Sequence, residues 1–231
     1  QLKLVGNAPF ANMHMIVAGS EGQIELGHEV KAFIVERSAP GLSVGRPLDK
    51  IGFKGFTVSD VCLKACDVSE EAVIGMANGR NKIVQCAQSL RSLVTAVSAL
   101  GTARALMEEA VKFLKGSKGG LSQAASFKCA DMMIMTDISR LLIYQAAWAI
   151  EMHNPESSVL ASGAKIFAAD AANQIAHIVV ELQGEDGYTA GSVSEKLSRD
   201  ARFYLICNGT SEMHKDFVGT AVLNDFRKER E

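Results

Sequence analysis

The chain has 231 residues, 48% of them hydrophobic and 22% charged, with a formal charge of −2 at neutral pH. That is length enough for one large domain or two small ones with a proper core, in the composition range of soluble globular proteins. The near-balanced charge, with no dense basic run, gives no footing for nucleic-acid binding.

Gln1-Leu2-Lys3-Leu4-Val5 reads as the middle of a strand, without cap, polar tail or methionine, as expected of a fragment, a processed product or a naturally shortened protein. Met13–Val17, Val30–Val35 and Phe56–Val61 are β-branched or aromatic runs separated by turn clusters at Gly19–Gly22 and Ala39–Gly41. The texture changes between residues 70 and 80. From Asn81 to Lys115 apolar residues recur at three- and four-residue steps, which predicts one long amphipathic helix, broken at Gly116–Gly120. Two alanine-rich helices are predicted over Ser122–Met152 and Ser157–Gln183, with broad apolar faces that call for burial on several sides. After a Gly-rich turn at 184–187, shorter helices are expected at Val193–Ile206 and Ser211–Leu223, then a charged tail. The pattern is mainly α with an N-terminal β segment: a remnant β domain over 1–75 and an antiparallel helical bundle over 76–231.

Five scattered cysteines without a paired framework point to reduced thiols and an intracellular setting. Cys62 and Cys66 have the spacing of half a metal site, but nothing completes it, so no metal is expected. No signal-peptide pattern opens the chain, and no apolar run reaches the roughly 20 residues of a bilayer span. Met132–Ile150, the most apolar window, carries Asp137 and Arg140 and reads as a buried helix.

Several motifs occur in one order. Pro40-Gly41-Leu42 leads to Lys50-Ile51-Gly52; Leu100-Gly101 precedes Gln123 and Ala130-Asp131-Met132; Ala164-Lys165 precedes Arg199-Asp200-Ala201 and Asn208-Gly209-Thr210-Ser211. Together they resemble the second half of an acyl-CoA dehydrogenase, covering nearly the whole chain: part of the central β domain, then the C-terminal four-helix-bundle domain. The resemblance implies FAD as cofactor, oligomers formed through the bundle, and a mitochondrial location if the source is eukaryotic. It also implies a reaction in which a carboxylate takes the α-proton of an acyl thioester while the β-hydride passes to flavin.

On that resemblance the catalytic positions are altered. Asn208 stands where many members have the glutamate base, and Arg91 stands at the alternative address on the first bundle helix; neither side chain accepts a proton near neutral pH. Glu108, Glu109 and Glu185 lie nearby in sequence without a motif that brings them to the flavin. The flavin-facing W-I-T-N corresponds to Leu4-Val5-Gly6-Asn7, without the aromatic or the hydroxyl. The phosphate-binding R-x-x-F-G loop corresponds to Lys115–Leu121, where only Lys115 and Lys118 offer charge. The Q-x-x-G-G-x-G-Y segment is Gln183-Gly184-Glu185-Asp186-Gly187-Tyr188, with two acids facing an anionic cofactor. The residual FAD region is therefore Gly6, Asn7, Gln183, Gly184, Gly187, Gly209 and Thr210. Arg199, Asp200 and Arg202 are expected to pin the last helices, Thr210 or Ser211 to cap the final one, and Lys165 reads as a solvated lysine.

Three readings follow. The first is a structural or interaction subunit without dehydrogenase activity, joined to itself, a paralogue or a larger complex. The second is an FAD-dependent dehydrogenase whose base and missing domain come from a partner chain. The third is retained FAD or acyl-CoA binding without turnover.

Overall fold

The computed structural model describes residues 1–19, 31–74, 82–116 and 122–228. The expected turn from Ser20 to Gly22, the helix start at Asn81, the helix break at residues 117–120 with Lys118, and the end of the charged tail lie outside them. The chain divides into two compact units, Gln1–Ala87 and Gln88–Glu231.

The first unit carries two antiparallel three-stranded sheets. One orders β1 (Leu2–Gly6), β5 (Val58–Leu63) and β4 (Leu42–Val44); the other orders β2 (Met13–Ala18), β3 (Lys31–Glu36) and β6 (Val73–Ile74). β4 follows directly on the turn expected at Ala39–Gly41 and is not itself an expected strand, and β5 begins two residues later than expected. The β2–β3 ladder runs in unbroken register from Met13 opposite Glu36 to Ala18 opposite Lys31. In β2, His14 and Ile16 are buried while Met13, Met15 and Val17 are exposed, a period-two pattern; in β3 Ala32 and Val35, three residues apart and so on opposite faces, are both buried. β1 is irregular between Leu2 and Val5. Leu4 sits there at φ 59°, its N–H donating 3.1 Å to the Asp60 carboxylate, which replaces a lost ladder bond.

The second unit is helical. Helix α1 (Lys82–Gly116) crosses the boundary between units; then come α2 (Gln123–Glu151), α3 (Ser157–Gln183), the single turn α4 (Glu185–Tyr188), α5 (Val193–Ile206) and α6 (Ser211–Lys228). α3 is the centre, packing against α2, α4, α5 and α6. Alanine predominates on its buried face, including Ala161, Ala164, Ala168, Ala172 and Ala176, which combines the best helix former with close helix approach. Ser122 caps α2 by accepting from the Ala125 N–H at 3.2 Å, and Ser192 caps α5 by accepting from the Glu195 N–H at 3.1 Å. α1 joins the bundle through polar contacts: Ser89 to Ser158 on α3 at 2.8 Å, and Thr102 to the Tyr204 hydroxyl on α5 at 2.9 Å.

Four features bear on the expectations from sequence. Lys165 is not solvated; it is fully buried, at 0% exposure. α2 is buried on its inner face only, and its outer face leaves large apolar residues exposed. Arg199 and Asp200 pair within α5, with Glu195 and Lys196, at the i,i+4 spacing of one helix face. Among the described residues one helix, 83–116, is long and apolar enough to cross a membrane by length and composition. It carries Arg91 and Arg104; Ser89 and Thr102 bond to other helices of the bundle, while Ser92, Thr95 and Ser98 donate to carbonyls of the helix itself.

Candidate functional site

α5 ends at Ile206, and the chain turns through Cys207, Asn208 and Gly209 before α6 begins. Asn208 and Gly209 have φ of 55° and 97° in succession. Asparagine tolerates the left-handed region and glycine enters it freely, so this pair can make the reversal that other residue types resist. Thr210, not Ser211, caps α6, accepting from the Met213 N–H at 3.3 Å. The Ser211 hydroxyl is buried without a partner.

Two side chains from beneath hold the turn. Lys165 of α3 donates from Nζ to the carbonyls of Gly209 at 2.8 Å and Leu205 at 3.4 Å. His214 of α6 donates from Nε2 to the Asn208 carbonyl at 3.1 Å, and its Nδ1 meets the Ser162 hydroxyl at 3.1 Å. Burial pushes the pKa of Lys165 below its ordinary value. It also lowers that of His214, with the Lys165 charge acting in the same direction. Burial pushes the Cys207 thiol up, against the opposing pull of Lys165, so Cys207 is not an activated nucleophile.

From the top of the turn the Asn208 side chain reaches α1. Arg91 donates to its Oδ1 from Nη2 at 2.9 Å and Nε at 3.2 Å, while its Nδ2 donates to Thr95 Oγ1 at 2.7 Å. The two positions singled out for a base are therefore bonded to each other. The oxygen of the pair is occupied by a guanidinium, and neither group accepts a proton near neutral pH. Glu108 and Glu109 lie about 26 Å along α1 from Arg91, paired there with Arg104 and Lys112. Neither comes to the turn.

The residues assigned to flavin are engaged within the chain. In the first unit, a Cβ on Gly6 would lie 2.3 Å from the Phe56 ring, so the space above it is filled. Asn7 forms a turn at φ 55°, its N–H donating to Thr57 O at 2.7 Å. In the second unit, a Cβ on Gly187 would lie 2.9 Å from Gln183 Cβ, and one on Gly209 would lie 3.1 Å from His214 Nε2. Gln183 Nε2 points to Glu109 O at 3.5 Å, and Thr210 caps its helix. Only Gly184, at φ 57°, faces open space, with Glu185 and Asp186 beside it.

Sequence reasoning missed His214, Thr95 and Ser162, whose roles depend on helix adjacency, and also the burial of Lys165. That burial was readable: Lys165 sits between Ala164 and Ala168 on the apolar face of α3. It also missed an open cleft of about 560 Å³ between α3, α4 and α5, lined by His177, Tyr188, Arg199 and Arg202 among others.

Three long helices centred on an alanine-lined α3, closed by a short helix, an Asn-Gly-Thr turn and a last helix, define an acyl-CoA dehydrogenase-type C-terminal domain. The profile for "Acyl-CoA dehydrogenase, C-terminal domain" matches residues 79–223, and the chain belongs to the acyl-CoA dehydrogenase family. It is similar to the 3-(aryl)acrylate reductase of Clostridium sporogenes, 33% identical over 199 residues covering 84% of this chain and 52% of that protein. It is also similar to an acyl-CoA dehydrogenase of Bacillus subtilis, 32% identical over 203 residues, 85% of this chain and 53% of the other. Butyryl-CoA dehydrogenase from Megasphaera elsdenii superposes with a TM-score of 0.88 at 28% identity, covering 96% of this chain and 58% of that one. The chain thus spans about half the length of the curated relatives it matches.

Proposed function

We propose that this chain is an acyl-CoA dehydrogenase-family protein that performs no dehydrogenation and serves as a structural or interaction subunit of an oligomer or larger complex. One observation carries the reading: Arg91 and Asn208, at the two family addresses for the base, are hydrogen-bonded to each other. Removing an α-proton next to a thioester requires a group that can hold it, and this pair offers a saturated carboxamide and a guanidinium. FAD, when bound in the family, supplies the hydride acceptor. Here the residues at the corresponding positions are spent on packing and turns, which supports weak or absent flavin binding. On this reading residues 1–75 are a remnant of the central β domain, and the setting is intracellular, mitochondrial if the source is eukaryotic.

A second reading has its own support. The chain is similar to the acyl-CoA dehydrogenase of Bacillus subtilis, which favours an FAD-dependent acyl-CoA dehydrogenase acting as a fragment or with a partner chain that supplies the base. The visible absorption spectrum of the protein in its native complex, before and after FAD addition, separates the two. The expected result is no flavin band even with excess FAD. A band near one flavin per chain that is bleached by an acyl-CoA would overturn the structural reading in favour of the second.

A further inference from the structure

The cleft beside α3, α4 and α5 holds about 560 Å³, within the size range of sites that enclose small organic molecules. Two of its walls are helix faces. Asn173, Ala176 and Val180 lie at the three- and four-residue spacing of one face of α3, and Glu195, Arg199 and Arg202 at that of one face of α5. Asn173 Nδ2 donates to the Ala201 carbonyl at 2.9 Å and ties the two walls together at one end. Arg202 therefore stands at that end, and α4 with Tyr188 closes the other, about 10 Å further along α3. Tyr204, which bonds to α1, projects from the opposite side of α5. The cleft is thus turned away from α1 and from Arg91.

The aromatic end is fixed by the chain itself. Gly187 is buried, and a Cβ on it would lie 2.9 Å from Gln183 Cβ and 3.1 Å from Val180 Cα, so α4 sits directly on the end of α3. Thr189 Oγ1 donates to the Glu185 carbonyl at 2.8 Å, and Ser192 Oγ to the Gly187 carbonyl at 3.4 Å, which pins the turn. Tyr188 is presented there at 82% exposure, beside the apolar side chains of Ala176, Val180 and Ala190.

The charges select the ligand. Both oxygens of Glu195 accept from Arg199, so this pair is satisfied within the wall. The Arg202 guanidinium makes no hydrogen bond or ion pair among the described residues. One planar cation with parallel N–H donors matches one carboxylate. A diphosphate or nucleotide is disfavoured, because Glu185 and Asp186 precede Tyr188 and repel further negative charge.

We propose that the cleft binds a small aromatic monocarboxylate, with its carboxylate on Arg202 at the Asn173 end and its ring against Tyr188 beside Ala176 and Val180. The proposal adds a ligand to the chain and stands independently of the subunit role argued above.

In 4-phenylbutanoate a ring and a carboxylate are separated by a matching span. Calorimetric titration of the full chain with it is expected to show one site, with a dissociation constant on the order of 0.1 mM for a molecule of that size. 4-Phenylbutanamide, which lacks the charge, and butanoate, which lacks the ring, should each bind at least about tenfold more weakly. Arg202→Gln should weaken 4-phenylbutanoate about tenfold and leave the amide unchanged, whereas Tyr188→Ala should weaken both. Both side chains are exposed, so the circular dichroism of the variants should match the parent. Absence of binding in the millimolar range, equal binding of acid and amide, or an affinity indifferent to both substitutions would overturn the proposal. Displacement of 4-phenylbutanoate by FAD, with a flavin band, would also overturn it by making the cleft part of a flavin site. That last result would remove the subunit reading as well, whereas failure without a flavin band would leave that reading standing.

Discussion

His214 is defined down to its proton. The Asn208 carbonyl can only accept, so Nε2 carries the hydrogen, and Nδ1 is left to accept from the Ser162 hydroxyl. The structure is therefore built around neutral imidazole. A charge there must be accommodated in a buried site beside Lys165, which is why the folded pKa lies below the ordinary value. The sign follows: between the folded pKa and the unfolded value of about 6.5, the unfolded chain binds more protons, so stability falls as pH drops through that window. Glu212 on the same helix, like Glu181 and Glu195, has its pKa lowered instead, so it loses its contribution only below the usual carboxylate range. The two effects separate in pH. Thermal melts are expected to show a loss of stability on acidification below about pH 6.5 that His214→Gln abolishes. A parent protein and variant with parallel profiles down to the carboxylate range would contradict this account.

At the scale of elements, the α5–α6 connection is tied to α3 through Lys165 and through the contact of His214 with Ser162. Lys165 supplies the protons for the carbonyls of Leu205 at the end of α5 and Gly209 in the turn, and Asn173 about two turns further along α3 donates to Ala201 O at 2.9 Å. Lys165→Met keeps the stem's packing and removes the donors, leaving those carbonyls buried without partners. An expected cost of about 1–3 kcal/mol is readable in urea unfolding, and the loss should be shared by α5 and α6 in hydrogen exchange. A cost near zero would mean that desolvating the ammonium already cancels its bonds. The elements themselves were legible: α3 and α5 lie where the three-to-four periodicity and the Asn-Pro and Gly breaks place them. The β4 strand was not, because three residues carry no period. The site was legible as a list of residue types and not as a constellation. Arg91 and Asn208 are 117 positions apart, and their contact exists only because α1 and the α5–α6 turn pack on one another. Likewise, the inner face of α2 could be told from its outer face only once α3 was in place, since both faces are apolar in sequence.

For the molecule as a whole, the second unit contains what a domain needs. Its core is drawn from its own helices, from Ala96, Ala99 and Leu106 of α1 through Ile175 and Val179 of α3 to Tyr204 of α5. Tertiary hydrogen bonds within it join Ser89 to Ser158 and Thr102 to Tyr204. At about 150 residues it has the size of an independent folding unit. The alanine-rich core nevertheless limits the area buried per residue, since each alanine contributes little beyond its methyl group. Stability therefore leans on close helix approach. Residues 82–231 expressed alone are expected to keep the helical circular dichroism of α1 to α6 and to unfold in one cooperative transition. The midpoint should rise with protein concentration, because an associating folded state is favoured by mass action over an unfolded one that does not associate. A fragment that melts gradually would show that the bundle borrows its cooperativity from the first 81 residues. A sharp but concentration-independent midpoint would place its stability in the monomer alone.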